Sequence, residues 1–194
     1  MIIGICGLIG SGKGTVADIL VNTHKFKKIS FADKLKDGVA SVFGWDRKML
    51  EGDTDESRQW RELKDDFWSN ETKMEVTPRL VLQLFGTDCM RNGFDDGIWV
   101  SLVKKELLDN PGRNYVIPDV RFANEVNMIR DIGGEVWEVK RGPDPQWLIE
   151  YETNGTEPTV HASEWKWIKS KKDLVIENDG TLDELSNQVL SRLA

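Results

Sequence analysis

Nine residues near the start of the chain, Gly7-Leu8-Ile9-Gly10-Ser11-Gly12-Lys13-Gly14-Thr15, constrain its fold more than any others. They follow an apolar, β-branched run over residues 1–6 and precede Val16, Ile19 and Leu20, which fall at helical spacing. The run reads as a central strand buried on both faces of a parallel sheet, and the spacing predicts a helix over residues 12–22. A glycine turn in that setting lets backbone N–H groups point inward around phosphate oxygens, at the positive end of the helix that follows. Gly, four residues, Gly and Lys match the phosphate-binding P-loop, in which Lys13 offers a mobile cation to the outer phosphates of ATP. Gly10, Ser11, Gly12, Lys13, Gly14 and Thr15 are the candidate ATP-binding residues. The alternative is a turn that binds nothing, and the strand and helix on either side argue against it.

The rest of the chain repeats strand and helix. Residues 27–30, 115–118, 136–139 and 174–176 read as further strands. Ser30 and Asp33 form a capping-box pattern before a helix carrying Leu35, Val39 and Val42, which Gly44 should end. Thr77-Pro78 reads as an N-cap and first helical residue, with Gly86 as the stop; residues 99–108 read as another helix. Val126, Ile129 and Ile132 give the inner face of a helix closed by Gly133-Gly134, and Thr181 to Glu184 is a capping box opening the last helix. Residues 45–76 are densely charged, hold Trp60, Phe67 and Trp68 without a clean period, and read as an insertion forming a solvated helical cover. Residues 142–163 are rich in Gly, Pro and acidic residues, and a long irregular segment of this kind suits a lid. The expectation is one α/β domain of three layers, α/β/α, around a five-stranded parallel sheet, with ligands beyond the carboxyl ends of the strands.

Composition narrows the function. At 194 residues there is room for one well-buried core, and 39% hydrophobic with 30% charged residues is ordinary for a globular chain. The net charge of −7 speaks against a binder of nucleic-acid polymers, while a few basic residues focused in one cleft still suffice for a mononucleotide. The apolar start lacks a basic leader and no run of 18 apolar residues occurs, so neither a signal peptide nor a membrane span is expected. Two cysteines, Cys6 and Cys89, give no disulfide framework and no metal spacing, which fits a reducing cytoplasm.

Several residues follow predicted strands, where side chains project toward the loop. Asp119 is suited to order a water of Mg²⁺ or a substrate hydroxyl, and Arg121 to bind phosphate in a fork; the alternative is an Asp N-cap beside a surface Arg. Arg141 opens the lid-like segment and Arg130 ends the preceding helix, both candidates to meet phosphate or simply solvated arginines. Asn178 is a candidate adenine contact, or part of a strand-to-helix turn. His161 either touches phosphate or caps a turn.

The loop departs from the standard P-loop pattern in one respect: Gly14 rather than Ser or Thr follows Lys13. The ending Lys13-Gly14-Thr15 resembles adenylate-kinase-like nucleotide kinases, which implies that Mg²⁺ is held mostly by phosphates and water and leaves no firm protein ligand beyond Asp119 through water. Arg79, Gln83, Gly86-Thr87-Asp88, Phe94-Asp95, Trp99, Val116-Ile117-Pro118-Asp119-Val120-Arg121, His161 and Ser163-Glu164 together resemble the bacteriophage-type deoxynucleoside monophosphate kinases. The tail from Asp173 to Thr181 is similar to that family and to dephospho-coenzyme A kinases. The resemblance implies an adenylate-kinase-like fold, ATP on the P-loop, and a monophosphate acceptor met by Lys36, Arg79, Gln83, Trp99 and Arg121. For Trp99 a core position is the alternative to a stacking face, and for Gln83 an exposed helical position. Lys13, Arg121, Arg141 and Asp119 become the catalytic candidates, with ATP and Mg²⁺ as cofactors, nucleotides as partners and a homodimer left open. The setting implied is the cytoplasm, that of the host for a phage-encoded chain. Two other readings stand beside it: a P-loop kinase of dephospho-coenzyme A or a phosphorylated metabolite, and a nucleotide-binding switch protein.

Overall fold

The apolar run at the start forms β1 (Ile2–Cys6), and its last four residues are buried. In the computed structural model, which describes residues 1–160 and 162–193, β1 is the middle strand of a five-stranded sheet. The others are β2 (Lys27–Lys28), β3 (Tyr115–Ile117), β4 (Glu135–Lys140) and β5 (Leu174–Glu177), in the order β2-β3-β1-β4-β5. Every pairing is parallel, with Ile3 opposite Val116 on one side of β1 and Gly4 opposite Val136 on the other. Helices α1 (Lys13–His24), α7 (Ala123–Asp131) and α9 (Leu182–Ser191) cover it.

Strand alternation assigns the two faces. Ile3 and Ile5 pack with Val16, Ala17 and Leu20 of α1 and Leu185 and Val189 of α9. Gly4, between them, faces the other way, where a Cβ would collide with Ile129 Cδ1 on α7. Glycine there lets α7 lie close against the strand, and the result is the expected α/β/α sandwich.

The order of strands places the ligand site. The chain leaves β1 toward β2 on one side and leaves β3 toward β4 on the other, so the connections after these neighbours diverge at their carboxyl ends. Such a switch point opens a crevice where α/β proteins bind ligands. The P-loop follows β1, and Asp119 and Arg121 follow β3.

The chain divides into two compact units, Met1–Ser30 with Lys104–Ala194, and Phe31–Val103. The first carries the sheet. The second contains α2 (Asp33–Phe43), α3 (Asp55–Trp60), α4 (Asp66–Thr72), α5 (Pro78–Gln83) and the start of α6 (Ile98–Asp109). Residues 45–76 are not merely a solvated cover. Trp45, Trp60, Trp68 and Phe43 close around buried Val39, Leu50, Val76 and Val81, with Phe43 and Trp45 stacked at 4.7 Å. The tryptophans lack a single helical period because Trp60 and Trp68 come from two short helices and Trp45 from the connection that follows α2.

Three local expectations are corrected. The N-cap of α2 is Ala32, two residues past Ser30, and the Ser30 hydroxyl donates to Asp119 Oδ2 at 2.5 Å. Gly86 does not stop a helix; α5, capped by Thr77 and begun by Pro78 as expected, runs directly into a π-helical segment (Leu84–Asn92). There a Cβ on Gly86 would approach Leu35 Cδ2 to 2.9 Å, so its small size serves packing. Residues 142–163 are not irregular throughout, because α8 (Gln146–Asn154) buries Leu148 and Tyr151.

Candidate active site

The loop between β1 and α1 turns through three glycines with positive φ, Gly7 at 144°, Gly10 at 79° and Gly12 at 101°. These angles are strained for other residues, and space is short as well: a Cβ on Gly7 would collide with the Val139 carbonyl. Asn178, just past β5, donates through Nδ2 to the Ser11 carbonyl at 2.8 Å, in the space that a side chain on Gly12 would need. The residue after the last strand thus braces the loop through its side-chain amide.

Lys13 folds over the loop, its Nζ donating to the carbonyls of Gly7 at 2.8 Å and Leu8 at 2.7 Å. Burial pulls its ammonium down to about 8, and the Arg121 guanidinium pushes the same way, while Glu164, Cys6 and Asp119 oppose them. These influences show which charges converge on Lys13. Burial, with Glu138 adding, pushes the neighbouring Cys6 thiol up to about 12 and keeps it neutral. The Ser11 hydroxyl is buried and lacks a hydrogen-bond partner among the described residues. An orphaned hydroxyl, inward-turned glycines and a desolvated lysine are what a polyphosphate would satisfy, so the loop fits ATP.

Asp119 and Arg121 stand at the carboxyl end of β3. Ser30, just beyond β2, holds Asp119 through its hydroxyl. The Arg121 backbone N–H donates to Glu125 Oε2 at 2.6 Å and that of Phe122 to the same oxygen at 3.0 Å, which fixes the turn carrying Arg121. Its guanidinium, half exposed, lies 3.4 Å from Glu164 Oε1. Glu125 is 2% exposed and is a positioning residue absent from the expectations above. Its signal in the sequence is a Glu three residues after Phe122, a capping-box position hidden by the apolar cap residue.

The other candidates separate. Arg141 follows β4 at the same carboxyl edge, exposed to solvent; the carbonyl of Lys140 before it accepts from the Asn178 N–H at 2.8 Å. Arg130 is not brought to the loop. Its Nη2 donates to the Lys171 carbonyl at 2.6 Å and to Asp173 Oδ2 at 2.9 Å, and Asp173 also accepts from Val136 at the amino end of β4. Strand direction therefore puts Arg130 at the wrong edge of the sheet. His161 lies outside the described residues.

In the unit Phe31–Val103, Trp99 is a core anchor rather than a stacking face: it is 5% exposed and its Nε1 donates to the Gly86 carbonyl at 3.0 Å. Lys36 is paired with Glu51 at 2.6 Å and Arg79 with Glu62 at 3.0 Å, while Gln83 is exposed. Among the described residues no group of three or more His, Cys, Asp or Glu is placed to hold a metal ion. No helix among the described residues is long and apolar enough to cross a membrane.

A five-stranded parallel sheet with a P-loop after its middle strand and Asp and Arg beyond the neighbouring strand defines a P-loop α/β protein of the nucleotide-binding kind. Residues 47–189 match the family model for deoxynucleotide monophosphate kinase. A protein of Acanthamoeba polyphaga mimivirus described as a putative deoxynucleotide monophosphate kinase is 30% identical over 202 residues, spanning 98% of this chain and 95% of that protein. The deoxynucleotide monophosphate kinase of Enterobacteria phage T4 is 32% identical over 127 residues, 64% of this chain and 48% of its own length. The chain belongs to the deoxynucleotide monophosphate kinase family. Among solved structures, TT1252 from Thermus thermophilus superimposes over 100% of this chain and 95% of its own at 18% identity and a TM-score of 0.49, too loose a likeness to bear on the assignment.

Proposed function

We propose that this chain transfers the γ-phosphoryl group of ATP to the 5′-phosphate of a deoxynucleoside monophosphate, giving a deoxynucleoside diphosphate and ADP. The observation that supports the reading is Lys13, folded onto the carbonyls of a P-loop that Asn178 braces, in a chain of this family. An acceptor phosphate is already a nucleophile at neutral pH, so the reaction needs positioning and charge neutralisation rather than a strong base. Backbone N–H groups at residues 12–15 hold the donor's phosphates, and Lys13 leaves the Gly7 and Leu8 carbonyls to meet the outer ones. Arg121 shares the charge on the moving group, released from Glu164, and Arg141 adds a second guanidinium from the start of the lid-like segment. Asp119, oriented by Ser30, orders water around the metal. Mg²⁺ bound with the nucleotide would supply further neutralisation of the phosphate charge. Lys36, Arg79 and Gln83 serve the acceptor.

An ADP-release assay with ATP, Mg²⁺ and each ribo- and deoxyribonucleoside monophosphate in turn tests this, with dephospho-coenzyme A as a further acceptor. ADP formation should depend strictly on a deoxynucleoside monophosphate. Turnover confined to dephospho-coenzyme A, or equal with no acceptor, would remove the reading. Lys13→Ala should lower turnover by about 100-fold or more, since it strips a charge from the transition state.

A further inference from the structure

Within the compact unit that carries the sheet, two cations act on one another beside the P-loop. Lys13 rests on the Gly7 and Leu8 carbonyls. Burial lowers its ammonium most, and the Arg121 guanidinium pushes the same way. Like charges in one place are unfavourable without an anion between or beside them. The chain supplies one. Glu164 Oε1 accepts from Arg121 Nη1 at 3.4 Å, and the same carboxylate opposes the lowering of Lys13 more strongly than Asp119 does. A single side chain therefore balances both cations.

The residues after Glu164 tie it to the core. It ends a short helical turn, Ala162–Glu164, and its carbonyl accepts from Trp167 Nε1 at 3.0 Å. Trp165, Trp167 and Ile168 are all buried. Lys172 lies over the Trp167 ring at 5.2 Å and donates to the Ile168 carbonyl. With the backbone at residue 164 fixed in this way, rotation of the Glu164 side chain is enough to give up Arg121. The pair itself is weak, because the Arg121 guanidinium is half exposed and solvent screens it. A phosphate offers the same pair of acceptor oxygens to the arginine fork as a carboxylate does, and brings more negative charge. Carboxylate and phosphate thus compete for one guanidinium.

We propose that Glu164 is a built-in competitor of the donor's phosphates: it holds Arg121 beside Lys13 between turnovers, yields it to a phosphate of ATP, and takes it back after transfer. This rests on the kinase reading above and adds a residue that weakens nucleotide binding and hastens release. A carboxylate that merely steadied Arg121 would have the opposite effect on affinity, so the sign of the change decides.

The test compares the wild-type full chain with Glu164→Gln, which keeps the shape of the side chain and removes its charge. Calorimetry with a non-hydrolysable ATP analogue and Mg²⁺ should give a Kd about fivefold lower for the variant, with dissociation slowed to match in stopped-flow displacement. Glu164→Asp, which restores a carboxylate, should bring both values back toward wild type. Unchanged or weaker binding by Glu164→Gln would overturn the proposal. Introduced into Arg121→Gln, the same change should tighten binding by about twofold at most, because no guanidinium remains to be freed; a full fivefold gain there would overturn the role given to Arg121. Should Glu164→Gln fail to fold, a crystal of wild-type protein with the analogue decides. Arg121 should have left Glu164 for a phosphate oxygen, and Arg121 still paired with Glu164 beside bound phosphates would overturn the proposal. Wild-type protein that binds no ATP analogue would remove the kinase reading itself, whereas wild-type binding with an indifferent Glu164→Gln removes only this proposal.

Discussion

Lys13 joins the chemistry of the loop to a measurable titration. Its ammonium sits at about 8 instead of 10.5, chiefly because it is buried. The folded state therefore gives up this proton before the unfolded one, and stability from this group rises with pH between those two values. Phosphate oxygens act in the opposite sense, drawing the proton back. ATP binding should be flat below about pH 8, then weaken as pH rises, with uptake approaching one proton above that point. Calorimetry in two buffers of different ionisation enthalpy reads that uptake directly. Binding of constant strength up to about pH 10, without proton uptake, would separate Lys13 from the phosphates. At this scale the sequence was informative where spacing carries the chemistry: residues 7–15 declared themselves by glycine, glycine and lysine. It was silent on the pairing of Lys36 with Glu51 and of Arg79 with Glu62, because a cation with a carboxylate partner and one without look the same until the fold assigns the partners.

Elements behave likewise. The strands and the helices with a regular period were legible because burial on one or two faces writes itself into the order of apolar residues. Residues 45–76 were not, since Trp60 and Trp68 of two short helices meet Trp45 of a connection, and no helical period contains that convergence. The pattern Ser30 to Asp33 set the cap position two residues early, and it gave no sign that the Ser30 hydroxyl donates to a carboxylate beyond a neighbouring strand. Glu125 shows how an element positions a functional side chain without touching substrate. One of its oxygens fixes the backbone of Arg121 and Phe122 at the entry to α7. Glu125→Ala should strand two backbone donors and cost about 1–3 kcal/mol each in the worst case, seen as a lowered Tm. Turnover should fall more than ATP affinity, because Arg121 loses its place while the loop keeps its own. Equal Tm and turnover would show that the turn holds itself.

Across the whole molecule, the sheet order decides what the loops can do together. Connections that diverge from β1 and β3 bring the P-loop beside Asp119 and Arg121, although more than 100 positions separate them in sequence, an arrangement visible only once the order β2-β3-β1-β4-β5 is known. The same logic excludes Arg130, which sequence alone placed near the site and strand direction places at the far edge. The central claim is that the turn after β1 grips the donor's polyphosphate. A crystal of the chain with a non-hydrolysable ATP analogue tests it most directly. The phosphates should lie within the turn of residues 7–15, with Lys13 Nζ moved from the Gly7 and Leu8 carbonyls onto their oxygens. A nucleotide bound elsewhere, with Lys13 still resting on those carbonyls, would contradict the account.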